Sequence, residues 1–398
     1  MKKMIFLVLL CLLTGCSRHA QKIEMQPAGD KINMQLQRFE KEKDIEKREA
    51  GLKKLLGESL KELGSKNRIT IFIKVALVRT LFNEGKNYEA AGVLSDLEKT
   101  PAEILPRFDT TRLEISSIKA EHLHNSAKLA EAAVVYRNAL EISDRNFGSD
   151  SIQSGKICLS LASLEKETGN FNKAKEYIAR AYVSANKNPG DTEFNISGIA
   201  DTESELYIDL GDFQRSHQAA LIALKDDESH PERGVMPVIR DLNDLGIHCQ
   251  THGKNEDAVK YLDRSLSLLR KIPPPEKNYD HHLYSFEAHL YLFCAAHSKG
   301  DKDAAEEHLN GVLQNLNDMT GSRKRSPQTE SVVFGMALHV ISDISLEANS
   351  PGSLPSLVQN LKEQVTNKNY DEASATIKEI LKEYKKGANR DPAGLPGK

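Results

Sequence analysis

The stretch Thr168–Tyr182 reads TGNFNKAKEYIARAY, and its arrangement of turn, small and apolar residues returns along the chain at a nearly constant interval. Gly169 and Phe171 mark a turn between two short helices. Ala174 is the small residue at which those helices cross, and Ile178 and Ala181 extend one apolar face at helical spacing. Ala132, Ser216 and Ala258 hold the place of Ala174 at steps of 42 residues, and Ala305 follows 47 residues after Ala258. Self-similarity at a period of roughly 20–50 residues marks an array of supersecondary units, each burying its apolar face against the next. Residues 67–317 therefore read as an all-α array, a right-handed α-solenoid of helical hairpins.

Working outward, a first hairpin is expected from about Ile69 to Lys99, with Tyr88 in its turn and Ala91 at its crossing, closed by Pro101. The second carries Ala132, Tyr136, Ala139 and Leu140. The third to fifth keep Gly169, Gly211 and Gly253 at the turn, with Phe171, Phe213 and Asn255 two residues later. The sixth has Gly300, Ala305, Leu309 and Val312, and Pro273-Pro274-Pro275 before it supplies a stiff loop that absorbs the longer step. Residues 318–384 read as an insertion and cap: the loop TGSRKRSPQTE with a basic cluster at Arg323–Arg325, a helical run from Ser331 to Ala348, and a last hairpin with Tyr370 in its turn and Ala373 at its crossing. Residues 385–398, rich in Gly and Pro, have the composition of a disordered tail.

The spacing and the A-x3-Y-x2-A-L pattern at Ala132–Leu140 resemble tetratricopeptide repeats. The step of 42, longer than the basic repeat of about 34, resembles the kinesin-light-chain type, as do NFGSDS (146–151) and SHPERG (229–234) between hairpins. The resemblance implies that the first helix of each hairpin lines a concave groove that takes a peptide or helix of a protein partner. Carried over hairpin by hairpin, it implies a groove lined by Asn83, His124, Lys156, Lys166, Asp201, Glu205, Arg240, Asn243, Gln250 and His297. Lys156, Lys166, Arg240, Asn243 and Gln250 are the protein-binding candidates, with Arg240 and Asn243 near the centre. The set is mixed in sign and departs from the two-lysine, two-asparagine carboxylate clamp of chaperone-binding members.

At the N-terminus, MKKMIFLVLLCLLTGC places two lysines before an apolar run from Met4 to Leu13, far short of the roughly 20 residues that span a bilayer. Residues 1–15 read as a signal peptide. Leu13-Thr14-Gly15-Cys16 resembles the lipobox of bacterial lipoproteins, which implies acylation of Cys16 and cleavage before it. Each buried methylene contributes about 0.8 kcal/mol, so two or three acyl chains make a durable anchor. Ser17 after the cysteine implies sorting to the outer membrane, with the body facing the periplasm. Residues 16–30 then form a polar tether, and residues 31–66 a charged N-terminal helix with Leu52, Leu56 and Leu63 on one stripe.

Composition limits the function classes. Without residues 1–15 the chain has 52 Lys and Arg against 57 Asp and Glu, a mildly acidic balance that argues against bulk nucleic-acid binding. Cys158, Cys249 and Cys294 are an odd set in separate repeats and are expected as buried free thiols. Phosphate loops, nucleophile elbows and dinucleotide fingerprints are missing from the sequence, so neither an enzyme nor a cofactor is expected. The expected function is a lipid-anchored periplasmic scaffold for protein–protein interaction, accessory to assembly of an envelope complex. The alternatives are a metal-binding protein or hydrolase built on His248 and His252, although HCQTH lacks the glutamate of HExxH, and a structural oligomeriser using residues 31–66.

Overall fold

The computed structural model describes residues 27–320 except 190, 192–193 and 274–278, and then 335, 354–367, 372–373 and 375–380. The expected signal peptide, Cys16, the tether as far as Gln26, the cluster at Arg323–Arg325, the run from Ser331 to Ala348 apart from Gly335, Tyr370 and the tail lie outside the described residues. The chain divides into two compact units, residues 1–210 and 211–398, with the boundary inside the expected fourth hairpin.

The first unit contains α1 (Pro27–Glu40), α2 (Ile45–Glu62), α3 (Arg68–Asn83), α4 (Asn87–Glu98), α5 (Thr110–Asn125), α6 (Leu129–Phe147), α7 (Ile152–Glu167), α8 (Phe171–Lys187) and α9 (Ile196–Asp209). The second contains α10 (Phe213–Ser229), α11 (Met236–Thr251), α12 (Asn255–Leu269), α13 (Tyr279–Lys299), α14 (Lys302–Thr320) and α15 (Leu354–Thr366), with a 3-10 turn at Pro231–Arg233. Among the described residues there is no strand.

The helix starts keep the period more strictly than the residue pattern does. α2, α4, α6, α8, α10 and α12 begin at Ile45, Asn87, Leu129, Phe171, Phe213 and Asn255, 42 residues apart at every step. The turn before each of the last five has one residue with positive φ: Gly85, Ala127, Gly169, Gly211 and Gly253, with Gly300 in the same place before α14. The N–H that follows reaches back five residues, as in Lys86 to the Leu81 carbonyl at 2.9 Å and Asn170 to the Glu165 carbonyl at 2.8 Å. This left-handed C-terminal cap satisfies the last carbonyls of one helix while turning the chain into the next. Five residues after each positive-φ position comes the crossing residue: Ala90, Ala132, Ala174, Ser216, Ala258 and Ala305 are all at most 5% exposed.

That register corrects the first hairpin. Ala91 is exposed and Ala90 is fully buried, so the crossing falls 42 residues before Ala132, and Tyr88, 96% exposed, points to solvent. Tyr88 lies one residue out of line with Phe171, and Asn87 holds the equivalent place.

Ala127 occupies the left-handed position with φ 57° where the other turns have glycine. An L side chain costs about 1–2 kcal/mol there, part of which glycine gives back in unfolded-chain entropy. Ala127→Gly is therefore expected to raise stability by about 0.5–1 kcal/mol, measured as a shift in urea midpoint. An unchanged or lower midpoint would count against strain at this turn.

Residues 31–66 are not one helix. α1 and α2 form a hairpin with its second helix in step with the array, and helix already begins at Pro27, within the expected tether. Arg48 stands where the crossing alanine is found elsewhere, and its guanidinium caps the Glu42 carbonyl. Close approach is instead made at Gly51, where a Cβ would lie 2.2 Å from the Phe39 ring. Leu36, Leu52, Leu55, Ile73 and Leu77 close this hairpin onto α3.

From α2 to α7, successive hairpins are joined by two kinds of contact. Between α2 and α3, and again between α6 and α7, a buried hydroxyl pair bridges the helices: Ser59 with Thr70 at 2.5 Å, and Ser143 with Ser154 at 2.9 Å. The Thr70 and Ser154 hydroxyls also reach the carbonyls of Gly64 and Gly148 at 2.9 and 3.0 Å. Between α4 and α5, Arg112 does this work, donating to the carbonyls of Leu105 and Thr100 at 2.6 and 2.7 Å. In the second unit the largest core gathers Phe286, Leu290, Phe293, Leu309, Val312, Leu361, Ala373 and Ile377, so α15, Ala373 and Ile377 pack with α13 and α14.

Candidate functional site

The first helices of the hairpins carry the expected groove residues. Each of these helices starts at a side-chain cap where one is formed: Asn67, Asp109, Ser151 and Asn195 accept from backbone N–H groups at the starts of α3, α5, α7 and α9. In the first unit, Lys156 on α7 is exposed, as is Asn83 at the end of α3. Three polar pairs on these helices link one repeat to the next. Arg79 donates to Glu114 at 2.7 Å, His124 meets Glu167 at 2.9 Å, and Lys166 is paired with Glu205. These exposed and half-exposed pairs are each worth little, but they hold neighbouring first helices in register.

The second unit uses its candidates differently. Asn243 is fully buried: its amide donates to the Tyr284 carbonyl at 2.8 Å and to Glu287 at 3.2 Å, and its oxygen accepts from Ser265 at 2.6 Å. It holds α11, α12 and α13 together and is not a groove contact. Its spacing from Ile239 and Gly246, one turn away on either side, places it on the apolar stripe, which is the signal that polarity alone hides. Arg240 donates to Asp241 at 2.9 Å and approaches Asp227 at 3.5 Å, while Arg233 pairs with Asp226 and Asp227 at 2.7 and 2.9 Å. Asp227 and Asp241 are buried, so this network fastens α10 to α11. Gln250 and His297 are half-buried.

Glu287, which sequence reasoning missed, lies beside Asn243. Burial, followed by the charge of Asp244, pushes its carboxyl up to about 8 against the hydrogen bond from Asn243. A lone glutamate in an apolar helix run gives no such signal until its neighbours on α11 are known.

Cys158 and Cys249 are buried and Cys294 half-buried, all free. Burial raises the Cys158 thiol to about 11 and also raises that of Cys249, so both stay protonated and unreactive. His248 and His252 are neighbours on one side of α11 and its C-terminal turn. Their rings meet edge to face at 4.9 Å, and both pack on Phe213. Among the described residues no group of three His, Cys, Asp or Glu side chains is arranged to hold a metal ion. Among the same residues no helix is long and apolar enough to cross a membrane.

Paired helices, left-handed turns and small crossing residues at a constant step make this a tetratricopeptide-type helical solenoid. The apo form of RapI has the same fold, aligning with 91% of this chain and 99% of its own at a TM-score of 0.57 and 10% identity. A tetratricopeptide repeat protein from Parabacteroides merdae aligns with 78% of this chain and 99% of its own at 0.49 and 12% identity. PilW, a type IV pilus biogenesis factor, aligns with 63% and 95% at 0.45 and 15% identity. No family model matches the chain, and no curated protein sequence does.

Proposed function

We propose that this chain is a lipid-anchored scaffold for protein–protein interaction on the periplasmic face of a bacterial outer membrane, accessory to assembly of an envelope complex. The observation that carries the scaffold reading is the repeat stack itself. Its apolar residues are spent on joining hairpins, and it leaves successive first helices as a ladder of polar side chains on which a partner segment can lie. The anchor reading rests on Leu13-Thr14-Gly15-Cys16 at the end of the apolar run. Within the groove, we place the partner contact on the first unit. Lys156 is exposed there, whereas in the second unit Asn243 is buried and Arg240, half-exposed, is tied to Asp227 and Asp241.

One experiment in cells tests both parts. Cys16→Ala is expected to yield an uncleaved precursor that takes up no labelled palmitate, while a photocrosslinker in place of Lys156 in the otherwise native chain captures a protein of the envelope. Palmitate incorporation by Cys16→Ala would end the anchor reading. Capture from control sites on the second helices but none from position 156 would end the groove reading.

A further inference from the structure

Ten of the thirteen histidines follow Gly211, a bias that the scaffold reading does not use. Where histidines elsewhere have an acid to pair with, the contact is visible: His124 with Glu167 in the first unit, and His230 with Asp226 and His282 with Asp318 in the second. Two groups in the second unit are built the other way.

The first lies between α10, α11 and α12. His248 on α11 is 7% exposed and neither ring nitrogen has a hydrogen-bond partner. The Phe213 ring from α10 lies 4.6 Å from it, and His217, also from α10, 6.3 Å away. His252, whose Nδ1 bonds the His248 carbonyl at 2.9 Å, and Lys254, whose ammonium sits over Phe213 at 4.3 Å, complete the group from the turn. From α12, Tyr261 lies 6.2 Å from the His217 ring, and Asp257 acts on His217. The charges that bear on His248 itself are those of His252, His217 and Lys254, every one positive when protonated.

The second group lies between α13 and α14. His289 Nδ1 faces His308 Nδ1 at 3.2 Å, a contact that needs one ring to donate and the other to accept, so two imidazolium rings cannot make it. There is no slack: a Cβ at Gly311 would lie 2.5 Å from the His289 ring. Arg270, at the end of α12, bears on both rings, while Glu307, Asp263 and Asp301 bear on His308.

We propose that the second unit contains an acid-opened joint: protonation of His217 and His248 and of the His289–His308 pair parts α10 from α11 and α13 from α14, while the first unit stays folded. Burial, then the neighbouring positive groups, holds His248 and His289 down to about 4 from the ordinary 6.5, and burial lowers His217 and His308 as well. In the window from 6.5 to about 4 the unfolded or opened state therefore binds more protons than the closed one. Stability of the closed state is complete above 6.5 and falls with pH, by up to about tenfold in equilibrium constant per pH unit for each such group. Glu287 works in the opposite sense, because its raised carboxyl favours the closed state as pH falls from about 8, but it is one proton against four.

Hydrogen exchange on the full chain, corrected for the intrinsic pH dependence of exchange, tests this. Between about pH 7 and about pH 5, amides of α10 to α14 are expected to lose at least about tenfold in protection, while those of α3 to α7 hold theirs. The paired variant His248→Leu, His308→Leu removes two of the four groups and is expected to reduce the difference. Parallel loss in both units, a flat response in the second, or an unchanged slope in the folded variant would overturn the proposal. Should the variant not fold, the imidazole resonances of His248 and His289 in the native chain decide: titration at the ordinary value overturns it, and titration well below supports it.

Discussion

Arg240→Glu is expected to cost the second unit about 3–5 kcal/mol, enough to unfold it at moderate urea. The cost follows from what the guanidinium leaves behind. Asp241 is 1% exposed and Asp227 3%, and Arg240 is the cation beside both. Removing it takes away the guanidinium 2.9 Å from buried Asp241, and a glutamate in its place adds a third negative charge. Arg233 continues to neutralise Asp227, and the Arg240 side chain is itself 37% exposed, so the lower end of the range applies. Arg215→Glu provides the comparison: its partner Asp212 is one turn away on the surface, at 3.2 Å, and losing such a pair shifts stability by no more than about 1 kcal/mol. Circular dichroism during urea titration of the full chain resolves the two cases. Equal midpoints for the two variants would show that the network does not fasten α10 to α11.

The second large effect comes from one substitution made at two glycines. At Gly155 an added methyl would stand 2.5 Å from the Phe194 ring and 2.6 Å from the Ser184 Cβ. Phe194 and Ser184 are themselves buried in the core of the first unit, so neither has anywhere to go. Gly155→Ala is expected to destabilise by about 1–3 kcal/mol or more, through overpacking. At Gly57, on the exposed side of α2, nothing lies within 4 Å of the added methyl. There Gly57→Ala gains helix propensity and should stabilise by close to 1 kcal/mol. Opposite signs in thermal midpoint are the expected result, and a stabilised Gly155→Ala would mean that α7 does not approach α8 as closely as described.

These examples show what could be read from residues alone. Ala174 and Gly169 were legible because their roles admit few residue types: a helix crossing needs a small side chain and a left-handed turn favours glycine, so both leave a trace at every step. The α1–α2 hairpin left no such trace. Arg48 stands at its crossing position, the close approach has moved one turn on to Gly51, and the abundance of Glu and Lys made two helices read as one. Groove residues were harder still. Lys156, Lys166 and Asn243 are all polar residues on first helices, yet one faces solvent, one pairs with the next repeat and one is sealed in the core. For Lys166 and Asn243 what decides is a partner some 40 residues away, Glu205 or Tyr284, and the pattern of a single helix carries no information about that partner.

The two kinds of joint between hairpins also set how such a chain can change in length. Ser59 and Ser143, Gly64 and Gly148, and Thr70 and Ser154 are each separated by 84 residues, and the arginine-bridged joint falls between them. Excising a single hairpin would set a hydroxyl-lined helix end against one shaped for a guanidinium. Excising two in succession would rejoin like with like. From α2 to α7 the seam thus repeats with a pair of hairpins, even though the helices themselves repeat at half that length.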